Sequence, residues 1–482
     1  MKSSLLFAAA CLALVSFKLP AATTHYVDAG GTNSVPPFTN WLTAATNIQA
    51  AIDVSTNGDT VLVTNGIYRT GGRVVSGVTN ACTNPILLVT TFIHPLIPGP
   101  QTNRVAIRKA IIVQSVNGPN WTIIEGAQGV RCAYLTNGAT LSGFTLTNGG
   151  ALNWYSLDSG GGAWCLSDNA FLSNCIVVNN QAAGGGGVFS GTVENCILLN
   201  NHGVYEGGGA LVSTLNNSVL TGNGAGGGGG GSGGGAWFCV LNSCTVVSNK
   251  ATASGSGVSG GTLNNCIVYY NPWFGNYDTY FYPTLNYCCT TPMPTNGVGN
   301  ITNDPAFVNL TNGDLHLQAT SRCINAGNNT YVVSGTDLDG SPRIMGGTVD
   351  MGAYEYQAQV TDAFSDWLQQ YSLATDGSGD YEDSDGTGMV NWQKWIAGLN
   401  PTNPASVLAM TSVASTNASS GITINWQSVS NRTYYLQRSS DLAAQPAFSV
   451  IQNNIVGQAG TTSYTDASAT NGVPYFYRVG VQ

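Results

Sequence analysis

Residues 185–201 read GGGVFSGTVENCILLNN, and residues 233–249 read GGGAWFCVLNSCTVVSN. The same phrase occurs five times between Leu172 and Asn271, and its copies align on one small residue. That residue is Cys175, Cys196, Ser218, Cys244 or Cys266, and successive copies are 21 to 26 residues apart. A repeat of this length is one supersecondary unit stacked in a row. The sequence therefore predicts a solenoid.

Within each copy the apolar residues alternate with a period of two, which indicates a strand rather than a helix. Glycine and asparagine bracket the strands and supply the bends that a coil needs at its corners. These features predict a parallel β-helix in which equivalent residues stack into columns about 4.8 Å apart. One interior column is the small thiols, and another lines a bend with asparagine amides bonded along the axis. The predicted amide column is Asn180, Asn201, Asn223, Asn249 and Asn271.

Other repeat architectures fit the pattern less well. A leucine-rich horseshoe needs a regular leucine consensus, a propeller needs longer blades, and collagen needs glycine at every third position. The chain has 482 residues with 62 glycines, 8% charged residues and a net charge of −9. An acidic, lysine-poor surface argues against nucleic acid and anionic membranes, while 43% apolar content argues against disorder.

The phrases GGGAW…NSCTVVSN and GGGV…VENCILLNN resemble the coils of secreted bacterial right-handed parallel β-helix proteins. That superfamily includes pectate lyases, polygalacturonases, alginate epimerases and the non-enzymatic passenger domains of surface adhesins. The resemblance covers roughly residues 25–356. It implies the fold far better than it implies a function, because this scaffold carries many activities.

Four segments are predicted along the chain. Residues 1–22 read as a signal peptide, which implies a secreted or cell-surface protein. Residues 23–356 form the β-helix with its caps, including a helical lid near residues 47–53 and a first strand within residues 58–68. Residues 357–406 form a short helical module, and residues 407–482 alternate in the manner of a β-sandwich with Trp426 and Tyr477 in its core. No later stretch reaches the roughly 20 apolar residues of a spanning helix.

Three parts of the C-terminal region resemble known modules. Residues 304–356 resemble the closing segment of choice-of-anchor-type surface β-helix proteins, where we expect Arg343 to pair with Asp350 or Glu355. Residues 407–482 resemble a fibronectin type III module. Residues 383–391 resemble the calcium loop of dockerin and EF-hand repeats, which implies calcium ligands at Asp383, Asp385, Thr387, Met389 and Asn391. This loop departs from the pattern at Thr387 and at Lys394, which stands where the bidentate carboxylate belongs.

The thiols that recur in the repeat are predicted to be buried and unpaired. In an exported protein cysteines would ordinarily suggest disulfides. Cysteines stacked on successive rungs, however, have parallel Cα–Cβ directions that fit the disulfide torsion badly. No His or Cys pair has zinc-ligand spacing either.

One feature of the repeat suggests binding. The residues Trp164, Phe189, Leu211 and Trp237 each follow the small interior residue of a coil, so they are predicted to stack on one face. If that face points outward, Trp164, Phe189 and Trp237 are candidate ligands for sugar rings; if it points inward, they are core.

The same region is poor in groups that perform chemistry. After Arg131 its one basic residue before Asn300 is Lys250, and its acids are single and on different coils. Glu194 and Glu206 are expected on different faces, and His202 in a loop. The tracts 184–187 and 226–235, where a solenoid enzyme would build its site, are predicted to be flexible glycine loops. We therefore predict no catalytic residue and favour a non-catalytic surface protein that binds glycans or partner proteins. The alternative is a polysaccharide lyase, hydrolase or epimerase acting on an acidic polysaccharide.

Overall fold

The structure is a computed structural model, and it describes residues 22–76, 100–151, 159–227, 230–345, 347–357, 362–375, 379, 382–415, 421–440, 448–469 and 475–481. The predicted signal peptide therefore lies outside the described residues, apart from its last position. The chain divides into two compact units between Tyr356 and Gln357.

The first unit is a right-handed parallel β-helix, as predicted. Each full coil passes through four sheets in the order C, A, B and D, and each strand pairs in register with its equivalent in the next coil. Sheet A contains Thr24–Val27, Thr60–Val63, Ile112–Ser115, Thr140–Ser142, Phe171–Ser173, Thr192–Glu194, Thr214–Asn216, Val240–Asn242, Thr262–Asn264 and Thr284–Asn286. Sheet B contains Gly66–Tyr68, Thr122–Glu125, Thr145–Thr147, Ile176–Val178, Ile197–Leu199, Val219–Thr221, Thr245–Val247, Ile267–Tyr269 and Cys289–Thr290.

Two further sheets complete the coil. Sheet C contains Arg73–Val75, Gln101–Ile107, Val130–Leu135, Ala163–Cys165, Val188–Phe189, Ala210–Leu211, Ala236–Trp237 and Val258–Ser259, with its first strand antiparallel to the second. Sheet D contains Gly150–Ala151, Gln181–Gly184, His202–Glu206, Gly224–Ala225 and Lys250–Ala251. The interior between the sheets is filled by one continuous apolar core.

The small residues of the repeat form the predicted column at the corner between sheets A and B. The residue before each of them has a left-handed backbone, which asparagine tolerates better than most side chains. Cys175 N donates to the sulfur of Cys196, and Cys266 N donates to the sulfur of Cys288 in the same way. All ten cysteines among the described residues are free and buried. The column thus uses thiols as small hydrophobes that also accept main-chain hydrogen bonds.

The asparagine column lies at the corner between sheets B and D, also as predicted. The Nδ2 of Asn180 donates to Oδ1 of Asn201 at 3.0 Å, and the pattern repeats through Asn223 and Asn249 to Asn271. Each Nδ2 also donates to a carbonyl of the preceding coil, such as Leu198 O for Asn223 at 2.8 Å. The buried amides are therefore satisfied without water.

Glycine triplets turn the chain from sheet D into sheet C. The first glycine of each has a positive φ, as at Gly185 with 56° and Gly207 with 58°. A Cβ on Gly186 would lie 2.3 Å from the carbonyl oxygen of His202, so no larger residue fits. Gly186 N donates to Gly207 O at 3.1 Å, which continues the ladder through the turn. The prediction of a flexible loop over residues 184–187 is therefore wrong: close backbone approach, not mobility, requires glycine here.

Helix α1, Ile48–Val54, closes the N-terminal end, and Asn47 caps it by accepting from Ala50 N. This confirms the predicted lid. The predicted first strand is not the first, because Thr24–Val27 precedes it and pairs with Thr60–Val63. A 3-10 helix, Trp41–Thr43, lies between that strand and the lid.

The closing segment covers the outer face of the last coils of sheet B. Its strands Phe307–Asn309 and Asp314–Leu317 are antiparallel, and its 3-10 helices are Leu310–Asn312 and Asn329–Tyr331. Met351 and Ala353 pack with Val247 and Ile267 of sheet B in a second buried cluster. The segment thus seals a flank of the solenoid.

The described residues of the second unit form two short helices and six strands. Helix α2 is Asp362–Gln370, and helix α3 is Asn391–Ala397. One sheet contains Met410–Ser415, Ile422–Ser428 and Gly460–Asp466; the other contains Thr433–Ser439, Ser449–Val456 and Phe476–Val481. Trp426 and Tyr434 from opposite sheets lie in one core, which is the predicted sandwich, while Tyr477 is only partly buried at its edge. None of the described helices is long and apolar enough to cross a membrane.

Candidate functional site

The predicted aromatic stripe exists and lies on the outer face of sheet C. Ala163 and Val188 point into the core, so Trp164 and Phe189, which follow them, point outward. The ring of Trp164 stacks between those of Tyr134, at 5.2 Å, and Phe189, at 5.7 Å. Trp164 is only 5% exposed and Phe189 only 1%. These two rings therefore contact each other more than they contact solvent.

The stripe becomes accessible at its C-terminal end. Trp237 is partly buried, and its ring meets that of Phe238 at 4.4 Å. Phe238 meets Phe281 at 5.7 Å, and Phe281 meets Tyr280 at 4.9 Å. Tyr280 is 80% exposed. A connected path of rings thus leads from the buried stripe to solvent, and we call its outer part, residues 237, 238, 280 and 281, the aromatic end.

A second column runs beside the stripe, just before the glycine triplets. It consists of Ser159, Gly184, Glu206, Ser232 and Ser254, which pair in register from coil to coil. In-register residues of parallel strands point to the same side of the sheet. A Cβ on Gly184 would lie 2.7 Å from Cδ2 of Leu211, so this column points toward the stripe. We call the concave junction of the two columns the C–D corner.

Hydrogen bonds at Asp278 join the two columns. Ser254 Oγ, from the second column, donates to Asp278 Oδ2 at 2.7 Å, and Ser259 Oγ, from the stripe, donates at 2.6 Å. The backbone N–H of Tyr280 donates to Oδ1 at 2.7 Å. Asp278 is buried, and its carboxyl oxygens accept all three of these bonds.

Glu206 is the acid of the C–D corner. It is partly buried, and among the described residues its carboxyl group has no hydrogen-bond or ion-pair partner. Burial raises its pKa to about 7. A carboxylic acid in such surroundings is substantially protonated at neutral pH and can donate a hydrogen bond or a proton.

The other predicted acids and the histidine are dispersed. Glu194 lies on the outer face of sheet A, so it and Glu206 do occupy different faces, as predicted. His202 lies in a strand of sheet D and pairs with Gln181 and Gly224, so the predicted loop position is wrong. Burial lowers the pKa of His202, although a hydrogen bond with the backbone of Gly226 opposes this.

The charged cluster of the closing segment is built around backbone contacts. The guanidinium of Arg343 donates to the carbonyls of Gly352 and Ala353, instead of forming the expected direct pair with Asp350 or Glu355. Asp350 accepts from Asn325 N at 2.7 Å and Tyr356 N at 2.6 Å. Burial raises the pKa of Asp350 to about 6 and that of Glu355 to about 8. The cluster folds the segment back on itself and is enclosed in it.

The calcium-loop residues are brought together, but around a side-chain cation. Both oxygens of Asp383 accept backbone N–H groups, from Thr387 at 3.0 Å and Gly388 at 2.7 Å. Asp385 accepts from Thr387 Oγ1 and from the ammonium of Lys394, which is fully buried. Burial opposes ionisation of Asp385, but these bonds outweigh it and lower its pKa.

The remaining two predicted ligands lie in the same turn. Met389 lies in the loop before α3, and Asn391 opens the helix with Nδ2 donating to Gly379 O. Nowhere in the described chain do three His, Cys, Asp or Glu side chains form a group able to hold a metal ion. With the Lys394 ammonium against Asp385, this donor set does not fit calcium.

Sequence reasoning missed the C–D corner because it aligned Glu206 with the wrong landmark. Counted from Ser218, twelve residues later, Glu206 looks isolated. Counted from Ala210, four residues later, it is equivalent to Ser232 before Ala236 and Ser254 before Val258. That spacing was the available signal. The ring contacts of Phe238 with Phe281 had no signal, since residues 270–282 depart from the repeat.

Comparison with known proteins gives structural matches at low sequence identity. No family model matches the chain, and no curated protein matches it. The chain is similar to the crystal structure of pectate lyase Pel9A, at 15% identity and TM-score 0.40, covering 69% of this chain and 96% of that one. It is also similar to a rhamnogalacturonan lyase, at 12% identity and TM-score 0.31, covering 56% and 68%. Pectin methylesterase PemA from Erwinia chrysanthemi matches at 8% identity and TM-score 0.26, covering 55% and 78%.

Proposed function

We propose that the protein binds polysaccharide at the aromatic end of the C–D corner without transforming it. The observation that carries this proposal is the path of rings from Trp237 to the largely exposed Tyr280. Sugar rings present C–H faces that pack on aromatic rings, and their hydroxyls bond to nearby polar groups. The corner column supplies such groups in Ser232 and Ser254.

Trp164 and Phe189, which the sequence suggested as ligand-binding residues, have a supporting role in this proposal. The ring of Trp164 stacks on that of Tyr134 on one side and on that of Phe189 on the other. This packing restrains the stripe before a ligand arrives, so that less side-chain freedom is lost on binding at its accessible end. Trp237 remains the sugar contact. Attachment to a cell surface, export, and a spacer role for the second unit remain parts of the proposal that the sequence alone suggests.

The proposal is tested by retention on immobilised polysaccharides, with product analysis of the same incubations. Trp237→Ala and Tyr280→Ala are expected to weaken retention at least about tenfold, which corresponds to ~1.4 kcal/mol for each lost ring contact. Trp121→Ala is the matched control, because Trp121 is 63% exposed but precedes a strand of sheet B. Equal losses in all three variants, or retention that survives both aromatic-end variants, would refute the assigned surface.

A second candidate function is favoured by one observation, the raised pKa of Glu206. A glycoside hydrolase needs a protonated acid and a second carboxylate. In this alternative Glu206 is the acid and Asp278 the carboxylate, both directed into the same corner. New saturated reducing ends, formed by the wild type and absent with Glu206→Gln, would establish this alternative over simple binding.

A further inference from the structure

The C–D corner carries information about the charge of its ligand. We infer that Glu206, as a neutral acid, donates a hydrogen bond to the ligand and restricts the corner to uncharged polysaccharides. This inference rests on the proposed binding function and names the chemical class of its ligand.

The strand register gives the direction of the Glu206 side chain. Gly184, one coil earlier in the same column, is directed at Leu211, the stripe residue of the following coil. Ser254, two coils later, contacts Asp278, which again belongs to the following coil. By the same register, Glu206 is directed at Trp237. The acid therefore lies where a sugar stacked on Trp237 would present its hydroxyl groups.

Few titratable groups in the described part of the chain surround Glu206. On its own strand lie His202 and Tyr205, and burial lowers the pKa of His202, which keeps that ring neutral at pH 7. The neighbouring rungs of the column contribute glycine and serine, and the stripe contributes Leu211 and Trp237. Among the described residues, the one other acid that the register brings to this corner is Asp278, two rungs beyond Trp237.

The cations of the central coils lie elsewhere. Lys250 is in the column of His202 on the outer face of sheet D, with its ammonium 5.7 Å from the ring of Trp273. Arg131 is buried at the other end of the stripe, where it donates to Asn103 Oδ1 and to the carbonyls of Ser159 and Gly160. Within the described part of the corner, therefore, no cation faces Glu206.

A corner with these groups favours neutral polysaccharides over acidic ones. A uronate polymer would bring carboxylates toward Asp278 without a described Lys or Arg to neutralise them, and like charges at short range repel. A neutral polysaccharide brings hydroxyl groups, which accept from the Glu206 acid and bond to Ser232 and Ser254. Electrostatics and hydrogen bonding thus favour the same class of ligand.

Binding should also depend on pH. A sugar that covers Glu206 removes more water from its carboxyl group, which favours the protonated form further. Because the acid form is favoured in the complex, affinity falls as the pH rises above the pKa of the free protein. If the complex raises that pKa by one further unit, affinity at high pH falls about tenfold.

The experiment measures retention of the mature protein on five immobilised polysaccharides at pH 5.5, 7 and 9. Three probes are neutral (mixed-linkage β-glucan, xylan and galactomannan), and two are acidic (polygalacturonate and alginate). Wild type is compared with Glu206→Gln, which keeps an uncharged donor of the same shape, and with Glu194→Gln, which removes an acid from sheet A. We expect retention on a neutral probe, weaker by about tenfold at pH 9 in the wild type and in Glu194→Gln, but independent of pH in Glu206→Gln.

The outcomes separate this inference from the proposed function. Preferential retention on polygalacturonate or alginate would overturn the inference while leaving polysaccharide binding intact. Retention on a neutral probe with the same pH profile in Glu206→Gln and wild type would overturn the role of Glu206. Absence of retention on all five probes would remove the proposed function, and the inference with it.

Discussion

Glu206 should make the free energy of unfolding of the ligand-free protein depend on pH. Its pKa is about 7 in the folded protein, against an ordinary value of 4.5, because burial disfavours its charge. Between these two values the folded state binds more protons than the unfolded state, so the free energy of unfolding falls as the pH rises. The contribution is fully present below pH 4.5 and is lost above pH 7. Its size is about 3 kcal/mol, from ~1.4 kcal/mol for each tenfold change in the proton equilibrium.

The Glu206→Gln variant isolates this effect from every other titrating group. Glutamine resembles the protonated acid in shape and charge, so the variant and the wild type should have nearly equal free energies of unfolding at pH 4. At pH 8 the variant should be more stable by up to about 3 kcal/mol, since only the wild type has to bury a carboxylate or expose it. Urea denaturation at both pH values measures the difference.

Glu194→Gln serves as the control, because Glu194 lies on the outer face of sheet A, away from the C–D corner. Its difference from the wild type should be small and the same at both pH values. A Glu206→Gln variant that differs equally from the wild type at pH 4 and pH 8 would show that Glu206 is hydrated in the folded state. A variant less stable than the wild type at pH 8 would show that a cation reaches this carboxylate.

Three further predictions concern the scaffold and the loop of the second unit. Asn223→Ala should lower the free energy of unfolding in urea by about 3 kcal/mol or more, because it leaves buried donors of Asn201 and the carbonyl of Leu198 unsatisfied. Asn242→Ala, in the part-buried column on the outer face of sheet A, should cost under about 1 kcal/mol in the same titration. Gly186→Ala should abolish folding or greatly lower the melting temperature, while Gly335→Ala, with no atom within 4 Å of its Cβ, should melt like the wild type. For the loop of residues 383–391, a chelator should leave the melting temperature of the wild type unchanged. Lys394→Glu should melt at a higher temperature with calcium than with chelator, because it replaces the buried ammonium with the bidentate carboxylate that the calcium-loop pattern requires. A chelator effect on the wild type would contradict the placement of Lys394.

Columns were predictable from sequence wherever the same residue type recurs. The thiol and asparagine columns follow from counting, since an interior rung position tolerates little variety in size or hydrogen bonding. The helices were predictable from apolar spacing and from caps such as Asn47.

Positions where the residue type changes from rung to rung were much harder to predict. The C–D corner column reads serine, glycine, glutamate, serine and serine, so composition alone gives no pattern there. The glycine triplets misled in a different way. Their composition suggested mobility, whereas the 2.3 Å approach of a Cβ on Gly186 to His202 O shows that they are the tightest part of the coil. Glycine records either freedom or crowding, and sequence does not distinguish the two.

The closing segment shows a third limit. Its acids and Arg343 were expected to satisfy one another, yet the acids accept backbone N–H groups and the guanidinium donates to carbonyls. In an irregular segment the main-chain N–H and C=O groups have no partners in a neighbouring strand. Buried charged side chains therefore form their hydrogen bonds with the main chain before they pair with one another. Charge pairing read from sequence is therefore weakest where regular secondary structure is absent.

A solenoid with so few charges can still carry a functional site, because the register of its strands sets the direction of each side chain whatever the residue type. Every residue of the corner column points at the stripe, whatever its side chain. Glycine at position 184 leaves room for Leu211, serine at position 254 bonds Asp278, and glutamate at position 206 places an acid toward Trp237. One substitution at one rung is then enough to create a group with a raised pKa, since the neighbouring rungs supply the apolar surroundings. Moving the acid one rung, as in Glu206→Ser with Ser232→Glu, should therefore move it away from Trp237 and remove the pH dependence of binding, although the composition of the column is unchanged.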